Sequence, residues 1–164
     1  MYEYKAASIE ELERRWDINI ANNPGDNRWV DWKTQYIENN KTGKCKTFVV
    51  LFDGEPIGEG TLLFSPECVR GNIEHADGIN RANINALRIE KAHEGKGHIS
   101  KLVKLMEQYA IDNGYKTLTI GVEATETRNM AIYLHWGYTT FVTSEISEIE
   151  EEGLVLVYSK LLKN

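Results

Sequence analysis

The part of the sequence that most constrains the fold joins a strand, a glycine turn, a helix and a second strand. Residues 83–92, NINALRIEKA, favour a strand. Residues 100–113 carry apolar residues at helical spacing, and Gly114 follows as a terminator. Residues 115–124, YKTLTIGVEA, favour another strand. A helix that connects two strands of one sheet returns the chain to the same end, so the two strands are expected to run parallel. Such a crossover is right-handed almost without exception.

Two helices and a hairpin are predicted before this crossover. Ser8 followed by Glu11 is a capping-box signature, and the apolar residues behind it predict a helix. The Asn23-Pro24-Gly25 turn ends that helix, and a second helical stretch rich in tryptophan follows it. Residues 45–64, CKTFVVLFDGEPIGEGTLLF, predict two strands joined at Asp53-Gly54.

The remaining segments extend the sheet. Residues 65–81 are predicted to be a loop, and residues 125–137 a short helix that Gly137 stops. Residues 138–146 and 153–162 predict two final strands around an acidic turn. With no repeat or dividing linker, the 164 residues are expected to form one domain, 1–164, of the mixed α/β class.

Composition excludes several classes of protein. The net charge of −6 argues against nucleic acid as the main partner. Cys45 and Cys68 lack CxxC spacing, so we expect neither a disulfide framework nor a metal site, and a reduced cytoplasmic setting fits. No run reaches the ~18 apolar residues of a membrane span. The start, MYEYKAAS, lacks the apolar region of a signal peptide, so no membrane partner is expected.

The glycine turn of the crossover is the first candidate site. Gly95 and Gly97 flank Lys96 just before a helix, where backbone N–H groups can approach an anion. The P-loop pattern is absent because Lys96 precedes Gly97. The dinucleotide pattern GxGxxG is absent because residues 98–100 contain no glycine. By itself the turn is compatible with a phosphate ligand and equally with a tight connection that binds nothing.

Residues 83–140 taken together resemble the GNAT superfamily of acetyl-CoA-dependent N-acyltransferases. The shared features are the strand that enters a glycine turn, the amphipathic helix that ends at Gly114, and the strand after it. Ile132-Tyr133 before Gly137-Tyr138 is similar to the Leu-Tyr and Gly-Phe signature of that family. The two helices and the hairpin that precede the crossover agree with the family layout.

The resemblance implies a mixed, mostly antiparallel sheet whose parallel pair splays apart to hold the cofactor, acetyl-CoA. The family often has an asparagine where this chain has Glu126, and Asn129 follows one turn later, so the resemblance implies Asn129 as a further cofactor contact. Glu94 replaces the usual Gln or Arg, so its side chain is expected to point away from the phosphates. The pantetheine arm and pyrophosphate are assigned by resemblance to Leu87, Arg88 and Ile89, and to Gly95, Lys96, Gly97, His98, Ile99 and Ser100.

Acetyl transfer to an amine needs a group that takes the amine proton and a group that protonates the thiolate. The resemblance gives Tyr133 the role of general acid. Glu123, at the end of the second core strand, is the first candidate base, and Glu59 in the hairpin is the second. Water held by Asn83 or Asn85 is the third, because these residues stand where some relatives carry a glutamate.

The expected function is N-acetyl transfer from acetyl-CoA, without a metal, to a primary amine of a small molecule or peptide in a ternary complex. The acidic residues of the amino-terminal half favour a cationic acceptor: Asp26, Asp31, Glu59, Glu74 and Asp77. The protein is expected to be a monomer or a homodimer. Trp29, Trp32 and Tyr36 either line the acceptor pocket or pack on the sheet. Two alternatives are a catalytically silent CoA sensor and an unrelated phosphate-binding α/β protein.

Overall fold

The computed structural model describes residues 1–163, which form seven strands and four α-helices. The strands are β1 (Tyr2–Ala6), β2 (Cys45–Phe52), β3 (Glu55–Leu63), β4 (Arg81–Ile89), β5 (Thr117–Glu123), β6 (Thr140–Ile146) and β7 (Leu154–Leu161). The helices are α1 (Ile9–Asn22), α2 (Arg28–Thr42), α3 (His98–Asp112) and α4 (Thr127–His135). None of the helices in residues 1–163 is long and apolar enough to cross a bilayer.

The strands form one mixed sheet in the order β1-β2-β3-β4-β5-β7-β6. Strands β4 and β5 are parallel, from Arg81 opposite Thr117 to Ile84 opposite Ile120. The pairs β1–β2, β5–β7 and β6–β7 are antiparallel. The mixed, mostly antiparallel sheet with a parallel central pair is therefore confirmed.

Among the strands and α-helices of residues 1–163, β1 was not predicted from the sequence. Its five residues pair with β2 from Tyr2 opposite Phe52 to Ala6 opposite Phe48. A strand this short at the edge of a sheet is specified mainly by its partner, because five residues give only a weak periodic signal even though YEYKA alternates aromatic or apolar with charged side chains.

The chain divides into two compact units, each with its own core. The first comprises Met1–Leu62 and Ala86–Gln108, and the second comprises Leu63–Asn85 and residues 109 onward. The core of the first unit includes Leu12, Trp16, Phe48, Val49, Val50, Leu51, Leu62, Leu102 and Met106. The core of the second unit includes Ala82, Ile84, Ala110, Leu118, Ile120, Tyr138 and Val157.

The predicted boundaries of α1 and the hairpin are confirmed by local hydrogen bonds and backbone angles. Ser8 Oγ accepts a hydrogen bond from the Glu11 amide at 3.1 Å, and Glu11 Oε1 accepts one from the Ser8 amide at 2.9 Å. These bonds satisfy two donors that a helix start leaves unpaired. In the hairpin, Asp53 at φ 49° and Gly54 at φ 86° form a turn with two left-handed residues.

Helix α3 begins at His98, two residues before the predicted start. The Lys101 amide donates to the Gly97 carbonyl at 3.2 Å, which is the first bond of the helix. Gly97 at φ 80° lets the chain enter the helix directly from the turn. The glycine turn and the helix start are thus one continuous feature.

The capping box predicts the effect of Ser8→Ala. Loss of the side-chain acceptor leaves the Glu11 amide without its partner, and we expect the free energy of unfolding to fall by about 1 kcal/mol. Thr34→Ala is the matched control, because the exposed Thr34 hydroxyl bonds only to the Val30 carbonyl one turn earlier. Urea denaturation measures both variants, and equal losses would contradict a capping role for Ser8.

Candidate active site

The turn that opens α3 has the backbone geometry of an anion site. Gly95 at φ 73° and Gly97 at φ 80° both adopt the left-handed conformation that favours glycine. A Cβ atom built on either residue would have no atom within 4 Å, so the turn is open on that side. The amides of the first helical turn have no partner within the helix and carry its positive dipole end. The turn can therefore accept a phosphate group.

Two tyrosines of β1 hold this turn in place. The Tyr4 hydroxyl is hydrogen-bonded to His98 Nδ1 at 2.7 Å, and the Tyr2 hydroxyl to His93 Nδ1 at 2.9 Å. His98 is only 6% exposed, and its burial, followed by the nearby charge of Lys101, lowers its pKa. A neutral, anchored ring is the consequence, so the His98 side chain fixes the helix start rather than adding a cation to it.

A buried ion pair ties α1 to β3 in the same unit. Arg15 Nε donates to Glu59 Oε2 at 2.6 Å, and the two side chains are 1% and 2% exposed. Asn19 Nδ2 donates to Glu59 Oε1 at 2.8 Å, and Arg88 Nη1 donates to the same oxygen. Both oxygens of Glu59 are therefore occupied by donors. This geometry gives Glu59, the second candidate base, the role of counterion to two arginines.

The Arg88 guanidinium makes cation–π contacts with two tryptophan rings. Its Cζ lies 4.8 Å from the ring centroid of Trp29 and 5.3 Å from that of Trp16. The Trp16 ring packs in turn against Tyr36, with 5.1 Å between centroids, and the Trp29 ring against Trp32 at the same distance. Of the aromatic residues of α2, Tyr36 and Trp32 thus pack against other rings, whereas Trp29 contacts both a ring and the Arg88 guanidinium.

A cavity of about 380 Å³ opens beside this cluster, within the first unit. Its walls are polar residues of α1 and of the turn after it, Trp29, the end of β4 with the next residue Glu90, and the loop residue Glu94. Glu90 on this wall accepts from Arg15 Nη2 at 3.1 Å and from Asn22 Nδ2 at 3.0 Å. The Glu94 carboxylate makes no hydrogen bond or ion pair with residues 1–163 and lies at the cavity.

Comparison with known proteins identifies the family. The model of the Acetyltransferase (GNAT) family matches residues 7–138. The chain belongs to the GNAT family. This confirms the resemblance inferred from residues 83–140, and acetyl transfer is the chemistry that this family shares. No curated protein sequence matches the chain significantly.

Solved GNAT structures share the fold along the whole chain. An N-acetyltransferase from Staphylococcus aureus Mu50 is 18% identical, with a TM-score of 0.71 and 99% of each chain covered. The Salmonella typhimurium protein yncA with its cofactor acetyl-CoA is 14% identical, with a TM-score of 0.73 over 100% of this chain and 95% of that one. A ribosomal-protein-alanine N-acetyltransferase from Brucella melitensis is 16% identical, with a TM-score of 0.71 over 98% and 99%. At these identities the likeness establishes the GNAT fold alone.

The candidate general acid of the GNAT chain lies on α4, in the second unit. The Tyr133 ring is half-buried and packs against Trp136, with 5.5 Å between centroids. Burial, followed by the charge of Glu126, raises the pKa of the Tyr133 hydroxyl, so it stays protonated at neutral pH. Glu126 occupies the cap position of α4 without a capping side-chain bond, and Asn129 is exposed on the first turn.

The first candidate base, Glu123, ends β5 in the same unit. Its side chain is half-buried, and burial followed by the charges of Glu152 and Glu126 raises its pKa. A carboxylate with a raised pKa holds a proton more strongly, which favours proton abstraction near neutral pH.

The asparagines of β4 are committed to internal bonds. Asn83 is 2% exposed and its Nδ2 donates to Thr119 Oγ1 at 2.9 Å. Asn85 Nδ2 donates to Asn83 Oδ1 at 3.4 Å, and Thr119 Oγ1 donates to the His75 carbonyl at 2.7 Å. The Asn83 side chain therefore joins β4 to β5 inside the second unit.

Two features of the site bear on what the sequence could reveal. Arg15, Asn19 and Glu90 were not predicted as site residues. A charged side chain at Arg15, on the apolar face that holds Leu12 and Trp16, was a usable signal. Within residues 1–163, no three His, Cys, Asp or Glu side chains come together in a group that could hold a metal.

The buried pair predicts a large effect of Glu59→Ala. Removal of the carboxylate leaves the Arg15 guanidinium buried without its counterion, and we expect a loss of about 3–5 kcal/mol in the free energy of unfolding. Glu55→Ala is the matched control on the same strand, because Glu55 is exposed and lies 3.5 Å from Arg14. An exposed pair contributes about 0–1 kcal/mol. Chemical denaturation compares the two, and a loss under about 1 kcal/mol for Glu59→Ala would contradict the assigned role.

Proposed function

We propose that this GNAT protein transfers the acetyl group of acetyl-CoA to a primary amine by direct attack within a ternary complex. The observation that carries the proposal is the open, left-handed glycine turn at the start of α3 beside a cavity in the same unit. A phosphate-binding turn alone would fit many ligands. Family membership favours acetyl-CoA among them.

The residues of the turn fit the cofactor. The backbone amides of residues 95–100 would hold the pyrophosphate, because nothing fills the space where glycine side chains would lie. The backbone of residues 87–89 would bind the pantetheine arm, and Asn129 is a further proposed contact. Acetyl-CoA would supply the acetyl group as a thioester; the C–S bond breaks as the amide forms, and CoA leaves as a thiol. No metal is required in this scheme.

The proton transfers are assigned to two residues of the second unit. An alkylamine has a pKa near ~10.4, so most of it is protonated and unreactive at neutral pH. We propose that Glu123 takes the amine proton and that the Tyr133 hydroxyl gives a proton to the departing sulfur. The raised pKa values of both groups support these roles. Glu59 is less suited to act as a base, and Asn83 is less suited to hold a water that does so, because their polar atoms are engaged in internal hydrogen bonds.

A broad screen tests the proposal. The protein is incubated with acetyl-CoA and a panel of primary amines and peptides, and thiol release is followed. Turnover with at least one amine supports an N-acetyltransferase. Tight binding without turnover on any amine would instead support the CoA sensor, and the absence of a CoA-dependent thermal shift would contradict both. We also propose that the protein is a single domain located in the cytoplasm. It would be a monomer or a homodimer and would bind neither nucleic acid nor a membrane.

Gly97→Val tests the position of the phosphate site. A side chain at Gly97 would enter the open space of the turn, so we expect the Kd for acetyl-CoA to rise at least tenfold, about 1.4 kcal/mol. The left-handed backbone also makes the variant less stable. Gly43→Val controls for that strain, because Gly43 has φ 79° and open space around it but lies outside the turn. Titration calorimetry on both folded variants decides, and equal affinities would show that the phosphates bind elsewhere.

Tyr133→Phe tests the general acid. The variant keeps the ring that packs on Trp136 and loses the proton, so kcat should fall by ~10²–10⁴-fold while acetyl-CoA affinity changes little. If both assignments hold, the wild-type rate falls as pH drops through the raised pKa of Glu123. It also falls as pH rises through the raised pKa of Tyr133, and that alkaline limb should disappear in Tyr133→Phe.

Tyr158→Phe is the matched control for this experiment. Tyr158 is a half-buried tyrosine of the same unit, and its ring packs against Phe141 with 5.8 Å between centroids. The rate of this variant should equal that of the wild type. A decrease of less than about threefold in Tyr133→Phe, when chemistry limits the rate, would mean that Tyr133 only packs.

A further inference from the structure

We propose that the acceptor amine also carries a carboxylate, and that the Arg88 side chain binds this carboxylate in the cavity of the first unit. The acceptor is then a small amino acid rather than a polycation. The inference rests on the proposed acetyl transfer, because it names the class of amine that the same site would use.

The Arg88 guanidinium uses only part of its hydrogen-bonding capacity within residues 1–163. Its side chain is 28% exposed and lines the cavity. Nη1 donates to Glu59, whereas Nε and Nη2 have no acceptor among residues 1–163. A guanidinium presents its donors as a planar fork that matches a carboxylate with two parallel hydrogen bonds. Arg88 therefore offers unused donors at the wall of a cavity.

The Arg88 guanidinium is fixed in place by contacts within the protein. The rings of Trp16 and Trp29 lie within 5.3 Å and 4.8 Å of its Cζ, and Glu59 holds one nitrogen. An arginine whose rotamer is set in advance loses less conformational entropy when it binds a ligand. Positioned donors of this kind are typical of a recognition site and not of a freely solvated surface cation.

Arg15, the other arginine bonded to Glu59, differs from Arg88 in that all three of its guanidinium nitrogens have acceptors. Its Nε donates to Glu59, its Nη1 to the Pro56 carbonyl, and its Nη2 to Asn19 and Glu90. With Arg15 and Asn19 in place, both oxygens of Glu59 keep a donor when Arg88 is removed. Arg88 is thus not the sole donor to either oxygen of Glu59, and we expect variants of Arg88 to fold.

Most of the acidic residues that had favoured a cationic acceptor are engaged in bonds within the protein. Asp26 is paired with Arg28 at 2.7 Å, and Glu59 is paired with two arginines. Asp77 accepts hydrogen bonds from the backbone amides of residues 79–81. Three of these five carboxylates are therefore occupied, and the other two, Asp31 and Glu74, do not line the cavity. Among residues 1–163 the Glu94 carboxylate has no hydrogen-bond or ion-pair partner, so the cavity wall offers this carboxylate together with the unused donors of Arg88, which suits a zwitterion.

The size and walls of the cavity limit the acceptor further. A volume of about 380 Å³ lies at the lower end of ligand pockets, which fits a single amino acid. Leu87, Ile89 and the Trp29 ring provide apolar wall for a side chain.

The experiment compares each of the twenty amino acids with its amide as the acceptor. The amide keeps the amine and the side chain and removes only the carboxylate charge. We expect at least one acid to exceed its amide about tenfold in kcat/KM, because a hydrogen-bonded charge pair discriminates by that order. Arg88→Met should reduce the ratio of acid to amide about tenfold, and Arg88→Lys, which keeps the charge without the fork, should reduce it less.

Arg14→Gln is the matched control, because Arg14 is a cation of α1 that pairs with Glu55 and lies outside the cavity. Its ratio of acid to amide should equal that of the wild type. Thermal unfolding of all variants confirms that they are folded. The proposal is overturned if no acid is preferred over its amide, or if the preference survives Arg88→Met.

A binding experiment separates this proposal from the proposed function. N-acetyl amino acids and their amides are titrated onto the CoA-loaded protein while the tryptophan fluorescence is followed, since Trp16 and Trp29 contact Arg88. If no amine is acetylated, a quench that needs the carboxylate and disappears in Arg88→Met still supports the carboxylate site. Turnover without any carboxylate preference supports acetyl transfer and overturns the site. The absence of any carboxylate-dependent quench among all N-acetyl amino acids likewise overturns it.

Discussion

The buried pair of Arg15 and Glu59 is the interaction on which the site of the first unit depends. Two charges that leave water are favourable only when nearly all of their hydrogen-bonding capacity is met, and here Asn19, Arg88 and Glu90 contribute to that. The pair connects α1, β3 and β4, and a shift of any of these would leave a charge without its partner. The rigid wall of the cavity is a result of this requirement.

Most of the fold could be predicted because local patterns specify it. The capping box at Ser8, the two-residue turn at Asp53-Gly54 and the crossover from β4 to β5 each need only neighbouring residues to be recognised. Strand β1 could not, because the information that makes residues 2–6 a strand lies in β2. The start of α3 was displaced because Gly97, which reads as part of a loop, permits the helix to begin immediately.

The candidate site shows the same division between local and distant information. Gly95 and Gly97 were recognisable because a left-handed turn requires glycine at those positions. The contact of Arg15 with Glu59 joins residues 44 positions apart, and that of Arg88 with Glu59 spans 29. No periodicity or spacing predicts such pairs. Glu59 was therefore considered as a base from its residue type and its place in the hairpin, and only the structure shows the donors that surround its carboxylate.

The tyrosines of β1 make the glycine turn sensitive to the edge of the sheet. Tyr2 and Tyr4 reach His93 and His98 from an outermost strand, and outermost strands are the first to fray. When β1 detaches for a moment, the turn loses both of its phenol anchors. By thermodynamic reciprocity, a ligand that prefers the anchored turn must slow amide exchange throughout β1, more than 90 residues earlier in the chain. The edge strand thus reports the occupancy of a site that it does not line.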